Sequence, residues 1–372
     1  MTPTPSSSSH RLPRLSLERR LTSPWWLSWV IPIASVALAL LAGALIIASQ
    51  GVNPWEAYRA MFEGAFGTGY GVAETLVKAI PLMLAGLGVS VAFRMKLWNI
   101  GAEGQLWMGA WAAAGVGLFL YPAWNLPPWL AILLMMAAAV VAGGLWGAIP
   151  GVLKGVLQVN EIITSLMLNY VAISWVLYFV DILWRDPGGL GFPNTAPLDK
   201  AIWLPKLTWI PFLPKGHRVH AGLLIAILAA VFIWFLLNRT KWGYEVRVIG
   251  ENPEAARHAG MPIVRNIILV MILSGALAGL AGMAEMAGVA HRLQRGLSPG
   301  YGYTAIIVAW LAKLNPFGVL LVAVLFGGLL VAGDQIQLTM NLPRSISDIL
   351  QGLILFFVLG GEIFGRYRLR LR

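Results

Sequence analysis

The chain has 372 residues, of which 58% are apolar and only 12% charged, about half the charged share of an ordinary soluble domain. Such a composition cannot cover a water-facing shell, and charge-poor apolar runs of roughly 20 residues recur, the length a helix needs to cross a hydrocarbon core about 30 Å thick. The net charge of +11 does not point to nucleic acid, because the excess sits in short segments beside apolar runs, as in Arg11, Arg14, Arg19 and Arg20 and in Arg366, Arg368, Arg370 and Arg372.

Cysteine is absent, which removes disulfides, thiolate catalysis and Cys-based metal sites. The histidines His10, His217, His220, His258 and His291 form no ligand spacing. No metal site and no catalytic residues are therefore expected.

Residues 1–24, with Ser6 to Ser9 and two Arg-rich patches, read as a flexible cytoplasmic tail. The apolar run 25–48 is too long for a cleavable leader and is expected to remain as a first transmembrane helix. Residues 53–68 (NPWEAYRAMFEGAFGT) are amphipathic and read as an interfacial helix on the outer surface. Further spans are expected at 75–93, 106–120, 129–153, 162–180, 221–237, 266–286, 303–314, 317–332 and 346–359, about ten in all with the first. The pair 303–314 and 317–332 is short and separated by Asn315 and Pro316, so a hairpin that does not fully cross is the alternative. Residues 181–220, rich in Pro, Gly and Trp, form an external loop, either a docking platform or a passive cap. A basic cytoplasmic tail follows at 363–372. The expected organisation is one all-α transmembrane domain over 25–362 with both termini cytoplasmic, which puts 17 of the 27 Lys and Arg residues inside. The spacing of Gly143, Gly144, Gly147 and Gly151, and of Gly275, Gly279 and Gly282, predicts close helix packing.

Four segments interrupt this apolar pattern. In the polar loop 239–265, Asn252 suits a helix N-cap, Pro253 the first helical position, Ala255 and Ala256 the interior, and Gly260 a left-handed end. A short helix is thus predicted over 253–259 at the cytoplasmic face. Two membrane helices need only a brief turn to reverse direction, so a capped surface helix suggests contact with something soluble.

At 98–105 (WNIGAEGQ), the span that follows has only about 15 apolar residues, so the motif itself must supply its first turns inside the bilayer. Asn99, Glu103 and Gln105 then face either an aqueous path or the protein interior; a staple from Glu103 to Arg94 or Lys96 is the alternative. At 159–170 (VNEIITSLMLNY), helical spacing puts Glu161, Thr164, Ser165 and Asn169 near one face, just after Asn160. These groups suit either hydrogen bonds to a neutral solute or bonds between helices. Glu285, His291 and Arg295 lie near the outer end of the seventh span, before a Gly-rich opening (LSPGYGY). There GYGYTAIIVAW echoes GAEGQLWMGAW, which is consistent with an inverted repeat flanking a central site.

The segment GENPEAARHAGM resembles the cytoplasmic coupling loop of bacterial binding-protein-dependent permeases of the branched-chain amino acid, ribose and nucleoside group. WNIGAEGQLWMGAWAA resembles that group's F-N-I-G-x-E-G-Q-L, with Trp98 where Phe is usual, and VNEIITSLMLNY resembles N-E-x-x-x-x-x-M-L-N-Y. The last two motifs are those of the simple-sugar and nucleoside (guanosine-type) branch, and they favour a nucleoside over a free sugar. The likeness covers about residues 70–362.

This resemblance implies two inverted related halves similar to the vitamin B12-type ABC importer permeases. It implies a coupling element made of Gly250, Asn252, Glu254, Ala255, Ala256, Arg257 and Gly260. Asn99, Glu103, Gln105, Asn160, Glu161, Thr164 and Asn169 are then the candidate substrate pathway. The implied partners are a cytoplasmic ATPase, a second related permease in a pseudo-twofold pair and an external binding lipoprotein, with lipid around the chain and no nucleic acid. No GxxxxGK[ST] signature is present, so ATP is expected to be hydrolysed by the partner, with no cofactor bound here and no enzymatic chemistry in this chain. The expected setting is the bacterial plasma membrane. The rival reading is an ion-coupled secondary transporter of a small polar solute, with Glu103, Glu161 and Glu285 as its titrating groups.

Overall fold

The computed structural model describes residues 15–19, 26–210 and 213–371, with side chains described between 30 and 361. The tail residues Ser6 to Ser9, Arg11, Arg14, Arg20 and Arg372 lie outside the described residues. Two compact units are distinguished, one formed by Met1–Pro54 with Asp348–Arg372, the other by Trp55–Ser347.

In the first unit, strand β1 (Leu15–Arg19) pairs antiparallel with β2 (Tyr367–Leu371), Leu15 opposite Leu371 and Arg19 opposite Tyr367. Segments read from the sequence as plain tails thus contain a short ribbon; LSLER and YRLRL both carry Leu with the period of two that suits a strand. Helix α1 (Leu27–Ser49) matches the first expected span.

The second unit is helical. Helix α2 (Pro54–Phe66) is the expected amphipathic segment, with Ala57, Met61 and Ala65 buried at helical spacing. Then come α3 (Gly69–Arg94), α4 (Ala102–Trp124), α5 (Pro128–Leu157), α6 (Glu161–Leu183) and α7 (Gly222–Arg239). Two short helices, α8 (Lys241–Glu251) and α9 (Pro253–His258), lead into α10 (Ile263–Ala290), α11 (Tyr301–Leu311) and α12 (Pro316–Met340). Helix α13 (Ser345–Arg366) runs on into the first unit.

Among the described residues, eight helices are long and apolar enough to cross a membrane: α1, α3, α4, α5, α6, α7, α10 and α12. Two shorter apolar helices, α11 and the Ser345–Gly361 part of α13, accompany them. The protein is therefore a multi-pass, helical membrane protein. The sequence reading cut α12 at residue 332, but the helix continues to Met340. Asp334 and Gln335 look like an ending by hydropathy, yet they interrupt no backbone bonding, and the side chain of Arg344 meets Asp334 at 3.3 Å.

Burial explains the arrangement. Helix α3 is apolar over most of its circumference and is continuously buried from Ala79 to Phe93, as a central helix should be. Helix α10 packs against α3, α4 and α5. At its crossing with α5, a Cβ on Gly275 would collide with the Gly143 carbonyl, and one on Gly279 with the Ala139 carbonyl. The small residues let the two backbones touch, and in lipid such close packing replaces the hydrophobic drive available in water. Helices α5, α6 and α7 keep Leu145, Ile163, Leu228 and Phe232 exposed, as hydrocarbon-facing surfaces require.

Candidate functional site

The WNIGAEGQ segment turns the chain from α3 into α4, and α4 starts at Ala102, so the motif does supply the first helical turn. Asn99 is fully buried. Its amide donates to Gln105 Oε1 at 2.9 Å and to Ser274 Oγ on α10 at 2.8 Å, while its Oδ1 accepts from Gly101 N at 3.0 Å and Gln105 Nε2 at 3.1 Å. Asn169 of α6 reaches the same turn. Its Oδ1 accepts from Gly104 N at 2.8 Å, and its amide donates to Ile100 O at 2.9 Å and Tyr303 Oη at 3.3 Å. Asn169 thereby satisfies one of the free N–H groups that open α4, a group with no partner inside its own helix.

Glu103 does the same for α11. It is 2% exposed, its Oε2 accepts from Gly302 N at 2.7 Å and its Oε1 from Trp107 Nε1 at 3.1 Å. A carboxylate at the first turn of a helix meets both its unpaired N–H groups and the positive end of its dipole. Gly302 is required there, because a Cβ at that position would run into the Glu103 backbone. The two segments whose sequences echo one another, at the starts of α4 and α11, are therefore in direct contact. The alternative staple to Arg94 is not formed; Arg94 donates instead to Leu314 O at 2.9 Å.

Of the other residues in the 159–170 motif, Ser165 joins the same turn, its Oγ accepting from Ile100 N at 3.2 Å, while Asn160, Glu161 and Thr164 stand apart. Asn160 caps α6, accepting from Ile162 N at 2.9 Å, Thr164 returns its hydroxyl to Asn160 O at 3.0 Å, and Glu161 pairs with Lys154 at 2.8 Å. The structure thus brings Asn99, Glu103, Gln105 and Asn169 together, and places Asn160, Glu161 and Thr164 at the α5–α6 turn.

The polar loop 239–265 is more ordered than its sequence suggested. Asn252 caps α9, its Oδ1 accepting from Glu254 N and Ala255 N at 3.1 Å each. Gly260 adopts φ of +72°, the left-handed end expected of it. Glu254, Ala255 and Arg257 are exposed while Ala256 is buried. Helix α8 was missed by the sequence reading, although Thr240 caps it through Gly243 N at 3.1 Å and Trp242, Val246 and Ile249 recur at helical spacing. Asn266 at the start of α10 donates to Glu245 of α8 at 2.9 Å. Gly250 lies against the Arg94 carbonyl, so its place in the predicted coupling set is one of backbone packing.

Glu285, His291 and Arg295 do not converge. His291 stacks on Trp203 with centroids 3.6 Å apart, Arg295 pairs with Asp181 at 2.6 Å, and Glu285 points into a polar cavity with Lys78, Arg218, Arg292 and Arg344. Hydrogen bonding to Glu74 raises the basicity of Arg218 further. Sequence reasoning passed over this cluster, although a lysine inside the apolar run of α3 was a usable signal.

Several membrane-length helices, held together by a buried scaffold of capped helix starts, define a polytopic membrane protein that exposes a capped helix on a polar loop. Residues 71–359 match the family described as branched-chain amino acid transport system / permease component, and the chain belongs to that family. It is 40% identical over 365 residues to a glucose ABC transporter permease protein of Haloferax volcanii, covering 95% of this chain and 93% of the relative. It is 37% identical over 330 residues to a guanosine ABC transporter permease protein of Bacillus subtilis, covering 88% and 92%. A nucleoside ABC transporter permease protein of Lactococcus lactis is 30% identical over 333 residues, covering 88% and 90%. Among solved structures, PsaBC from Streptococcus pneumoniae aligns at a TM-score of 0.43 and 13% identity over 81% of this chain and 94% of that one, too weak a match to carry an argument.

Proposed function

We propose that this chain is the membrane-spanning subunit of an ATP-driven importer that carries a nucleoside or a related simple sugar across a bacterial plasma membrane. The observation that carries the reading is α9, a capped helix exposed on the polar face between α8 and α10, where a soluble ATPase has a surface to grip. The relatives named for glucose, guanosine and nucleosides support the substrate class. In this reading a separate ATPase hydrolyses the ATP, this chain binds no cofactor, and Asn252, Glu254, Ala255, Ala256, Arg257 and Gly260 transmit the closure of that ATPase with Gly250 anchoring the element. A second related permease completes a pseudo-twofold pair, and an external lipoprotein delivers solute. The two halves, meeting at the starts of α4 and α11, are inverted relatives as in vitamin B12-type permeases. Both termini are cytoplasmic.

Asn99, Glu103, Gln105 and Asn169 hold the helix starts that wall the substrate pathway, with Asn160, Glu161 and Thr164 framing its inner end. The reading is tested by reconstituting the chain with its ATPase, companion permease and lipoprotein, and measuring uptake of labelled guanosine and glucose. ATP-dependent uptake insensitive to a protonophore is expected. Uptake that needs no ATP and collapses with the proton gradient would overturn it in favour of an ion-coupled carrier.

A further inference from the structure

A cavity of about 400 Å³ opens where α10 gives way to residues 291–300. Its polar lining comes from Lys78, Arg218, Glu285, Arg292, Gln294 and Arg344. Two of the cations are partly neutralised by carboxylates outside this lining. Arg218 grips both oxygens of Glu74, with Nε to Oε1 at 3.0 Å, and Arg344 meets Asp334 at 3.3 Å. The Lys78 ammonium stands 6.0 Å from the centre of the Tyr301 ring. Glu285 is only 5% exposed, its Oε1 receives the Tyr301 hydroxyl at a long 3.5 Å, and its Oε2 has no hydrogen-bond partner. Arg344 Nη2 is likewise buried without one.

A buried carboxylate oxygen and a buried guanidinium nitrogen left unpaired are costly, so the lining is incomplete by itself. Water fills such a lining when no solute is present, and the chemistry of a solute that replaces it is narrow. An anion brings acceptors for the cations, but its charge opposes the Glu285 carboxylate, and a fully deprotonated one has nothing to donate to it. An organic cation does the reverse, and an apolar solute satisfies neither. A hydroxyl is both donor and acceptor, so adjacent hydroxyls on a neutral ring donate to Glu285 while their lone pairs accept from Lys78, Arg292 and Arg344. Among the described residues no aromatic ring lines the cavity, so they offer no face for stacking a base. Its volume lies within the range of small-molecule sites.

We infer that this cavity is a binding station for the hydroxyl-bearing part of a neutral solute, a sugar or ribose ring with adjacent hydroxyls, in which Glu285 is the acceptor and Lys78, Arg292 and Arg344 are the donors. The assignment deepens the importer reading and rests on it for the direction of passage.

Because the chain contains no cysteine, Ala290→Cys places a single thiol in the cavity wall, with Gln294→Cys as a second reporter. Maleimide labelling of the full chain in lipid nanodiscs is measured alone and with D-glucose, guanosine, dideoxyguanosine or inorganic phosphate. Saturating glucose or guanosine should slow labelling about tenfold, as expected when about nine sites in ten are occupied. Dideoxyguanosine and phosphate should not. Glu285→Gln and Arg292→Gln should each raise the half-protecting concentration by about tenfold, the effect of weakening one hydrogen bond to a charged group, each measured against that variant's own solute-free labelling rate. Equal protection by guanosine and dideoxyguanosine, protection by phosphate alone, or no protection by either polyol at both reporters would overturn the station. ATP-dependent uptake of the same probes by the assembled complex is read in parallel. Uptake without protection removes the station and leaves the importer; protection without ATP-dependent uptake removes the importer and leaves the station.

Discussion

Glu103 and Gly302 are 199 positions apart, yet one hydrogen bond between them closes the start of α11. Replacing Glu103 with Ala strands two buried donors, Gly302 N–H and Trp107 Nε1–H, at about 1–3 kcal/mol each. Glu103→Gln keeps a carbonyl for one of them and opposes the other with an amide donor. We expect the unfolding temperature in detergent to fall for both, more for Ala, with Glu103→Gln retaining partial, ATP-dependent uptake. Uptake abolished by the Gln change, together with proton-gradient dependence of the unmodified protein, would contradict the capping role. His220 offers a second test in the loop between α6 and α7. Its Nδ1 accepts from Gly222 N at 3.2 Å, and its ring fills the space where Gly288 has no Cβ. Burial, and secondarily the neighbouring His291, holds its pKa down at about 4. A histidine with a depressed folded pKa binds its proton more readily when unfolded, so stability is constant above about pH 6.5 and declines toward pH 4. Unfolding temperatures taken across that window should fall by several degrees, and His220→Gln should flatten the slope.

At the scale of elements, α9 shows how little sequence a capped helix needs. Six residues are too few to be stable alone, so the helix depends on Asn252 at one end, Gly260 beyond the other and the buried Ala256 between them. The Ala256 N–H donates to Asn252 O at 3.1 Å. Ala256→Pro removes that bond and costs about 3 kcal/mol in a helix interior, while Asn252→Ala costs about 1 kcal/mol. Both changes lie outside the membrane-length helices, so insertion and expression should be unaffected. ATPase stimulation and uptake should be lost in the Pro variant and reduced in the Ala variant; full uptake at normal expression in the Pro variant would remove α9 from the coupling role.

For the whole molecule, orientation is the property that every functional statement depends on. Arg94, Lys96, Lys154, Lys313 and the α8–α9 segment fall on ends of successive spans that belong to one face if the chain crosses alternately. Loops rich in Lys and Arg stay cytoplasmic. A cysteine replacing Arg257 on α9 should react with an impermeant maleimide only after the membrane is opened. One replacing Leu190, which is 93% exposed in the loop between α6 and α7, should react from outside. Labelling in the opposite pattern would invert the protein in the membrane and place α9 out of reach of a cytoplasmic ATPase.

The membrane class, most of the spans, the cap at Asn252 and the close packing of the glycine rows follow from the sequence alone, because each rests on local composition or on neighbours three and four residues apart. The exposed α9 is legible for the same reason, and α8 would have been, had its Thr240 cap and apolar spacing been weighed. What the polar motif residues touch was decided only by the tertiary structure. Asn99 meeting Ser274, Asn169 meeting Gly104, Glu103 meeting Gly302, and Lys78 sharing a cavity with Glu285 and Arg344 all join residues from distant parts of the chain. Residue type in an apolar span announces that a buried polar group must find a partner; which partner it finds depends on how the helices pack, and no local spacing encodes that.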